Sequence, residues 1–278
     1  IVRGRETAGG QRAALQFLHA LQAELAAHVE LPGCRVGPER VEGRPRLRLV
    51  AQAVGVGPAA DGAAAVERRA VREVAFKAGA RQVAIVEEPM AAAIGAGLPV
   101  AEPTGCMVVD IGGGTAEVAV ISMGSIVASR SVRTAGAEFE KEIIAYVKRK
   151  YNVLIGDRTA EEIKLAIGSA APYEGEEPYS VMGRNLVDGF PKEVTLTPAE
   201  IREALSEQVG VIIDAILTTL ERTPPELSAD ILETGITLAG GGALLHGLDR
   251  LVAQQTGMPC LVSTSDAADG HTRVTLGE

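Results

Sequence analysis

Two glycine-rich turns, each directly after a short apolar run, constrain the fold of this chain more than any other feature. The first is DIGGGT at residues 110–115, after the apolar run 106–109, and the second is GGGAL at residues 240–244, after the run 236–239. Because glycine lets the backbone approach a ligand closely and adopt positive φ, the N–H groups of such turns can point at an anion. Two turns of this kind predict a nucleotide held between two structural halves.

The composition limits the class of protein. Hydrophobic residues make up 46% of the 278 residues, which is enough for a core, but aromatic residues make up only 3%. The net charge of −9 lacks the basic excess that a nucleic-acid-binding face requires, so no nucleic-acid partner is expected. The widely spaced Cys34, Cys106 and Cys260 indicate a reducing compartment and no metal site. With no apolar run near ~18 residues and no signal peptide, a cytoplasmic protein is expected.

The hydrophobic periodicity predicts strands and helices in alternating groups. The predicted strands are 46–54, 82–86, 107–111, 117–122 and 126–132, and the predicted helices are 12–29, 63–78, 88–98 and 138–151, with a loop at 31–45. Residues 171–194 are rich in Pro and Gly and contain short strand-like runs. This order is typical of an α/β protein with two lobes.

Two capping boxes predict where later helices begin. Thr159-x-x-Glu162 predicts a helix to about Ile167. Thr197-Pro-Ala-Glu200 predicts a long helix to about residue 222, with a proline at its first position.

Taken together, these motifs resemble the actin-like ATPase superfamily and, within it, the MreB family of bacterial cell-shape filament proteins. The resemblance extends over residues 66–257, and its most specific segments are EEPMAAAIGAGLP at 87–99, VVDIGGGT at 108–115 and GGGALL at 240–245. It implies an α/β actin-like ATPase fold with RNase H-like lobes. Residues 1–105 would be the remainder of a truncated lobe I and residues 106–259 an intact lobe II. Residues 260–278 would be an eroded C-terminal segment that returns to lobe I.

The chain also departs from the family pattern. The first phosphate-binding hairpin of the family, a near-N-terminal Asp-x-Gly-Thr turn, has no counterpart, and the opening residues resemble the segment that follows the small subdomain of lobe I. Ala116 stands where the family has a second Thr, so we expect one hydroxyl fewer near the site.

The residue types of the first turn, residues 110–115, are suited to binding Mg²⁺ and phosphate. Asp110, at the end of a buried strand, could hold Mg²⁺ through water; the alternative is an aspartate that caps its own turn. The N–H groups of Gly112, Gly113 and Gly114 would bind the β- and γ-phosphates, and the Thr115 hydroxyl would add a further donor. A glycine-rich hairpin without a ligand is the alternative for this segment.

The resemblance assigns further roles. It implies that Glu88 and Thr115 orient the attacking water. Orienting the water is sufficient for catalysis, because hydrolysis of this type depends mainly on the positioning of the reactants. Glu88 could instead be an acid favoured at a helix N-terminus. The resemblance also implies that Glu161 and Lys164, one helical turn apart, line the nucleoside pocket. Without it, the same pair is typical of an exposed ion pair.

The second turn would lie beneath the adenosine. The resemblance places Gly240, Gly241, Gly242, Ala243 and Leu244 there, where side chains on the glycines would collide with the ligand. A helix that begins near Ala243 would add its positive dipole end. The alternative is a plain turn between a strand and a helix.

The function implied by the resemblance is that of a cytoskeletal protein that binds ATP and Mg²⁺. Its subunits would stack head to tail into filaments and would organise cell shape and wall synthesis with cell-wall synthesis proteins and membrane-associated shape proteins. The expected location is the cytoplasm, with peripheral association at the inner face of the cell membrane as an open question. ATPase activity is expected of the family, but the missing first hairpin leaves it uncertain. The alternatives are a degenerate, non-catalytic actin-like interaction module and an Hsp70-like ATPase.

Overall fold

The structure, a computed structural model, describes residues 85–264 and 273–276, together with residues 69, 70, 72, 73 and 76. The predictions for 12–29, 31–45 and 46–54 lie outside the described residues. Within the predicted helix over 63–78, the described residues are helical. Residues 85 and 86 are not part of a strand, and the rest of the predicted strand over 82–86 lies outside the described residues.

Strands and helices alternate in groups along the described residues, as the sequence predicts, and several of these elements were not predicted individually. The strands are β1 (Cys106–Ile111), β2 (Ala116–Ser122), β3 (Ser125–Val132), β4 (Val153–Leu154), β5 (Tyr179–Asn185), β6 (Pro191–Leu196), β7 (Ile236–Ala239), β8 (Cys260–Thr264) and β9 (Arg273–Leu276). The helices are α1 (Glu88–Gly95), α2 (Gly136–Tyr151), α3 (Asp157–Ile167), α4 (Pro198–Glu221), α5 (Pro225–Thr234) and α6 (Leu248–Thr256).

A six-stranded mixed sheet forms the centre, with strand order β3-β2-β1-β7-β8-β9. β1 pairs with β7, and β7 with β8, in parallel, whereas β2, β3 and β9 join antiparallel. A second, three-stranded antiparallel sheet has the order β4-β5-β6. Because β1 and β7 are parallel, their carboxyl ends, which carry the two glycine-rich turns, lie at the same edge of the sheet.

Helices cover both faces of the central sheet. Met107 and Val109 of β1 belong to the larger core cluster, which includes residues of α2, α3 and α4. Val108, between them, points to the other face and packs in a second cluster with Met90 and Ala93 of α1. Since β1 and β2 are covered on both sides, nearly all of their residues are buried, without an alternating exposed face.

The three strands predicted between residues 107 and 132 are confirmed, and they form an antiparallel meander. The turn between β2 and β3 has φ of 52° at Met123 and 72° at Gly124, as a two-residue hairpin turn requires. α1 starts at Glu88 as predicted and ends at Gly95, because the chain turns at Ala96 and at Gly97, whose φ is 74°.

One capping box is confirmed and the other is wrong. Before α4, the Thr197 hydroxyl accepts from the Glu200 N–H, and the Glu200 carboxylate accepts from the Thr197 N–H. α3 begins at Asp157, two residues before Thr159, and its N-cap is Gly156, which provides no side-chain bond. The start of α3 is set by its buried face, which includes Ala160 and Ile163.

The last described strands extend the same sheet. β8 pairs with β7, and β9 pairs with β8, so the described part of the predicted return segment 260–278 is hydrogen-bonded into the sheet that contains β1. The boundaries 1–105, 106–259 and 260–278 remain predictions. In the described part of the chain, no helix combines the length and apolar character needed to span a membrane.

A polar network joins the end of α2 to the start of α4. The Glu200 carboxylate accepts from Tyr151 Oη at 2.6 Å, from the Thr197 N–H at 2.8 Å, and lies 2.6 Å from Lys150 Nζ. Burial raises the pKa of Glu200, but the hydrogen bonds from Lys150, Tyr151 and Thr197 outweigh it and lower the pKa to about 2. The network therefore favours the ionised carboxylate.

Replacing this carboxylate should destabilise the fold in a pH-dependent way. The folded pKa of Glu200 lies below its ordinary value of 4.5, so its contribution is present above that value and is lost as the pH falls towards 2. Because Lys150 is half exposed, we expect Glu200→Gln to lower the free energy of unfolding by about 1–2 kcal/mol near neutral pH, and by less in acid. Urea unfolding across a pH series measures this.

Glu207→Gln, an exposed position on the same helix, is the matched control and should leave the stability unchanged. A loss for Glu200→Gln that stays constant down to about pH 3 would contradict the assignment of the pKa to this network.

Candidate functional site

A cavity of about 660 Å³ opens at the edge of the sheet where both glycine-rich turns lie. It is bounded by the β1–β2 turn, the first turn of α2, the middle of α3 and the segment after β7. The lining residues are Gly112, Gly113, Gly114, Gly136, Ala137, Phe139, Glu140, Glu161, Lys164, Leu165, Gly241, Gly242, Leu244, Leu245 and His246.

The β1–β2 turn presents bare backbone to this cavity. The Gly112 N–H closes the turn by donating to the Thr115 carbonyl at 3.0 Å. α2 is anchored to the same turn, because the Ala137 N–H donates to the Gly113 carbonyl at 2.7 Å. A Cβ added to Gly113 or Gly114 would meet no atom within 4 Å. The space beside these two glycines is therefore open to a ligand.

At the turn after β7, glycine is required mainly because the turn packs closely against the end of β1. A Cβ on Gly240 would lie 2.5 Å from Asp110 Oδ1, and its φ of 82° also disfavours a side chain. A Cβ on Gly242 would lie 2.3 Å from Ile111 Cγ2. Only Gly241, between them, has open space. Two of these three glycines therefore serve the packing of this turn against the end of β1.

The prediction that a helix begins near Ala243 is wrong. Residues Gly241–Leu244 form a single 3₁₀ turn, and α6 begins only at Leu248. Ala243 is 3% exposed and is part of the hydrophobic core, so it does not line the cavity. Leu244 is 59% exposed and does line it. The core position of Ala243 holds the turn in place.

Helix α3 contributes Glu161 and Lys164 to the opposite wall. Lys164 pairs with Glu140 of α2, with Nζ 2.5 Å from Oε1, and not with Glu161. Both members of the pair are largely covered, with 18% and 22% of their side chains exposed. A Cβ on Gly136 would lie 3.5 Å from Lys164 Nζ, which puts this ammonium group beside the first turn of α2.

The remaining predicted residues do not line the cavity. Asp110 is half-buried at the end of β1, and burial raises the pKa of its carboxyl group. Burial also raises the pKa of Glu88, and the charge of Asp110 raises it further. The two carboxylates thus interact electrostatically. Asp110, Glu88, Thr115 and Gly240 are not among the residues that line the cavity.

Sequence reasoning missed four lining residues of chemical interest. Glu140 and Ala137 lie on the first turns of α2, and Leu165 follows Lys164 on α3. His246 lies just after the second turn. None belongs to a glycine motif, and their only sequence signal is proximity to one. Ala116 is fully buried in the core, so the presence of alanine in place of the family's second Thr does not remove a hydroxyl group from the lining of the cavity.

Sequence comparison identifies the relatives of the chain. The family described as MreB/Mbl protein matches residues 44–275. The cell shape-determining protein MreB of Escherichia coli K12 is 57% identical over 202 residues, which cover 73% of this chain and 58% of that protein. The cell shape-determining protein Mbl of Bacillus subtilis 168 is 51% identical over 198 residues, which cover 71% and 60%. The chain thus spans about three fifths of the length of these relatives.

Solved structures agree with this assignment. MreB5 of Spiroplasma citri bound to AMPPNP is 37% identical, with a TM-score of 0.73, and the match covers 88% of this chain and 70% of that one. A MamK double helical filament is 18% identical, with a TM-score of 0.64, over 97% and 75% of the two chains, and supports the fold alone. The predicted actin-like ATPase fold is confirmed, and the chain belongs to the MreB/Mbl family.

Proposed function

We propose that this chain binds ATP with Mg²⁺ in the 660 Å³ cavity and acts as a filament-forming cytoskeletal protein in bacterial cell shape and wall synthesis. The observation that carries the nucleotide site is the open backbone of Gly113 and Gly114 at the edge where the two turns meet. The related MreB5 of Spiroplasma citri is bound to AMPPNP in one structure and to ADP in another.

The cavity has the size that a nucleotide requires, and one ammonium group lies beside the phosphate-binding turn. Its volume lies within the range of about 300–1,000 Å³ that is typical of ligand pockets. Lys164 provides a positive charge near the first turn of α2, where the phosphates would be bound by the N–H groups of the β1–β2 turn. Because Lys164 is paired with Glu140, a bound phosphate would compete with this carboxylate for the ammonium group.

The residues also fit Mg²⁺ held mostly by water and phosphate. In the described part of the chain, no group of three or more His, Cys, Asp or Glu side chains could hold a metal ion. Mg²⁺ keeps several waters and commonly uses one or two carboxylates together with substrate phosphates. Asp110 would supply such a carboxylate from the end of β1. The ion, when bound, would neutralise charge on the phosphates.

Hydrolysis would depend on Glu88 and Thr115. A raised pKa makes Glu88 a better proton acceptor than an exposed glutamate, and its position at the start of α1 fixes it beside the Asp110 end of β1. Thr115 closes the β1–β2 turn through its carbonyl and would offer its hydroxyl to the phosphate or to the attacking water.

Filament formation is the second part of the proposal. The relatives are named as cell shape-determining proteins. Head-to-tail stacking of identical subunits gives an open filament because the contact is heterologous. The proposed partners are further copies of the chain, cell-wall synthesis proteins and membrane-associated shape proteins, at the cytoplasmic face of the membrane.

The two kinds of glycine allow a sharp test of the nucleotide site. Gly113→Ala places a methyl group in open space, so the stability should be unchanged while Mg-ATP affinity falls at least about 10-fold. Gly242→Ala forces a methyl group against Ile111 and should lower the free energy of unfolding by about 1–3 kcal/mol. Calorimetry for binding and urea unfolding for stability measure the two effects.

This pair of variants separates the ligand from the fold. If Gly113→Ala bound Mg-ATP as tightly as the unchanged chain, the site assignment would be wrong. If the unchanged chain did not bind Mg-ATP, the non-catalytic interaction module would be the better description.

Glu88→Gln tests the proposed catalytic role. Removing the acceptor while keeping the shape should slow ATP hydrolysis about 100-fold or more and change the affinity for Mg-ATP by no more than about two-fold. Phosphate release and calorimetry on the same preparation give both values. Glu87→Gln, one residue earlier, is the control and should retain hydrolysis. Equal losses of binding and hydrolysis would indicate a structural role for Glu88.

A further inference from the structure

His246 and Tyr173 form a stacked pair of rings at the cavity. Their ring centroids are 4.5 Å apart and the ring planes differ by 20°. His246 is exposed and lines the cavity, whereas Tyr173 is partly covered and is not among the lining residues. The imidazole is therefore supported by Tyr173 and accessible to the cavity.

Contacts along both walls of the cavity connect the glycine-rich β1–β2 turn to His246. On one side, the turn contacts Gly136, Lys164 lies beside Gly136, and α3 continues for one more turn to Gly168. His246 meets the chain there, because its N–H donates to the Gly168 carbonyl at 3.3 Å. On the other side, Gly242 packs on the end of β1, and His246 follows four residues later. His246 thus joins the cavity wall one helical turn beyond Lys164, the residue that lies beside the first turn of α2.

The backbone around both rings is fixed. The His246 carbonyl accepts from the Ala170 N–H at 2.7 Å. The Tyr173 N–H donates to Glu176, whose carboxylate accepts two hydrogen bonds from Arg202 of α4, at 2.7 and 2.6 Å. Arg250 of α6 donates to the carbonyl of the residue before Tyr173. Rings held in this way lose little conformational entropy when a ligand stacks on them.

Among the described residues, two rings line the cavity. Phe139 is 1% exposed, so its face is covered by the core. His246 is the accessible one. In a nucleoside triphosphate the phosphates and the base lie at opposite ends, so a nucleotide with its phosphates at the glycine-rich turn would place its base against a different part of the lining.

We propose that the imidazole of His246, supported by Tyr173, is the platform on which the nucleobase stacks. This inference rests on the proposed nucleotide binding and assigns the base end of the same cavity. Flat π-systems stack on one another in offset geometry, and stacking needs no particular hydrogen-bond pattern on the base. His246 would thereby position the nucleotide without taking part in hydrolysis.

The experiment compares ring and non-ring replacements in the full chain. His246→Ala should weaken Mg-ATP binding about 5- to 50-fold, and His246→Phe, which restores a ring, should remain within about three-fold of the unchanged chain. Phe190→Ala removes an exposed ring that is not among the lining residues and should have no effect on binding. Calorimetry gives the affinities, and thermal unfolding shows that each variant is folded.

The possible outcomes are distinguishable. Loss with alanine and recovery with phenylalanine supports the platform. Unchanged binding by His246→Ala, or equal losses in both variants, overturns it while the nucleotide site stands. A wild-type chain that binds no Mg-ATP at all overturns the proposed function itself, and the platform with it.

Discussion

The close packing of the turn after β7 against the end of β1 is the constraint on which the cavity depends. β1 and β7 are parallel neighbours, so both end at the same edge of the sheet. Gly240 and Gly242 let the second turn lie directly on Asp110 and Ile111, at distances that a side chain would not allow. This contact leaves the 3₁₀ turn and His246 facing α3, with the cavity between them. The space for a ligand therefore results from strand order and glycine packing together.

The charges around the cavity follow from the same arrangement. The anchoring of α2 to the β1–β2 turn brings Glu140 to Lys164 of α3, and this covered pair holds the two helices together. An anion bound at the turn would compete with Glu140 for the ammonium group, since both are negatively charged. At the end of β1 and the start of α1, burial of Asp110 and Glu88 raises the pKa of both. A bound cation would favour their ionised forms.

Features with local causes could be predicted from the sequence. The strands of the meander and the capping box before α4 depend on neighbours within a few residues, and both are confirmed. The pairing of Lys164 with Glu140, the core position of Ala243 and the start of α3 depend on contacts between distant segments. The hydrophobic periodicity of one helix does not indicate where the next helix packs against it. His246 was missed for the same reason, because Tyr173 lies far from it in the chain.

The two glycine-rich turns look alike in sequence, yet their glycines are under different constraints. At Gly113 and Gly114 a side chain would meet only the cavity, so a substitution there costs the fold little and acts on the ligand. At Gly240 and Gly242 a side chain would meet β1, so a substitution acts first on the fold. A chain of this type could therefore lose nucleotide binding through the first turn and still fold around the second. The glycines that are open to solvent, and not the motif as a whole, are the positions that separate a nucleotide-binding member from a purely structural one.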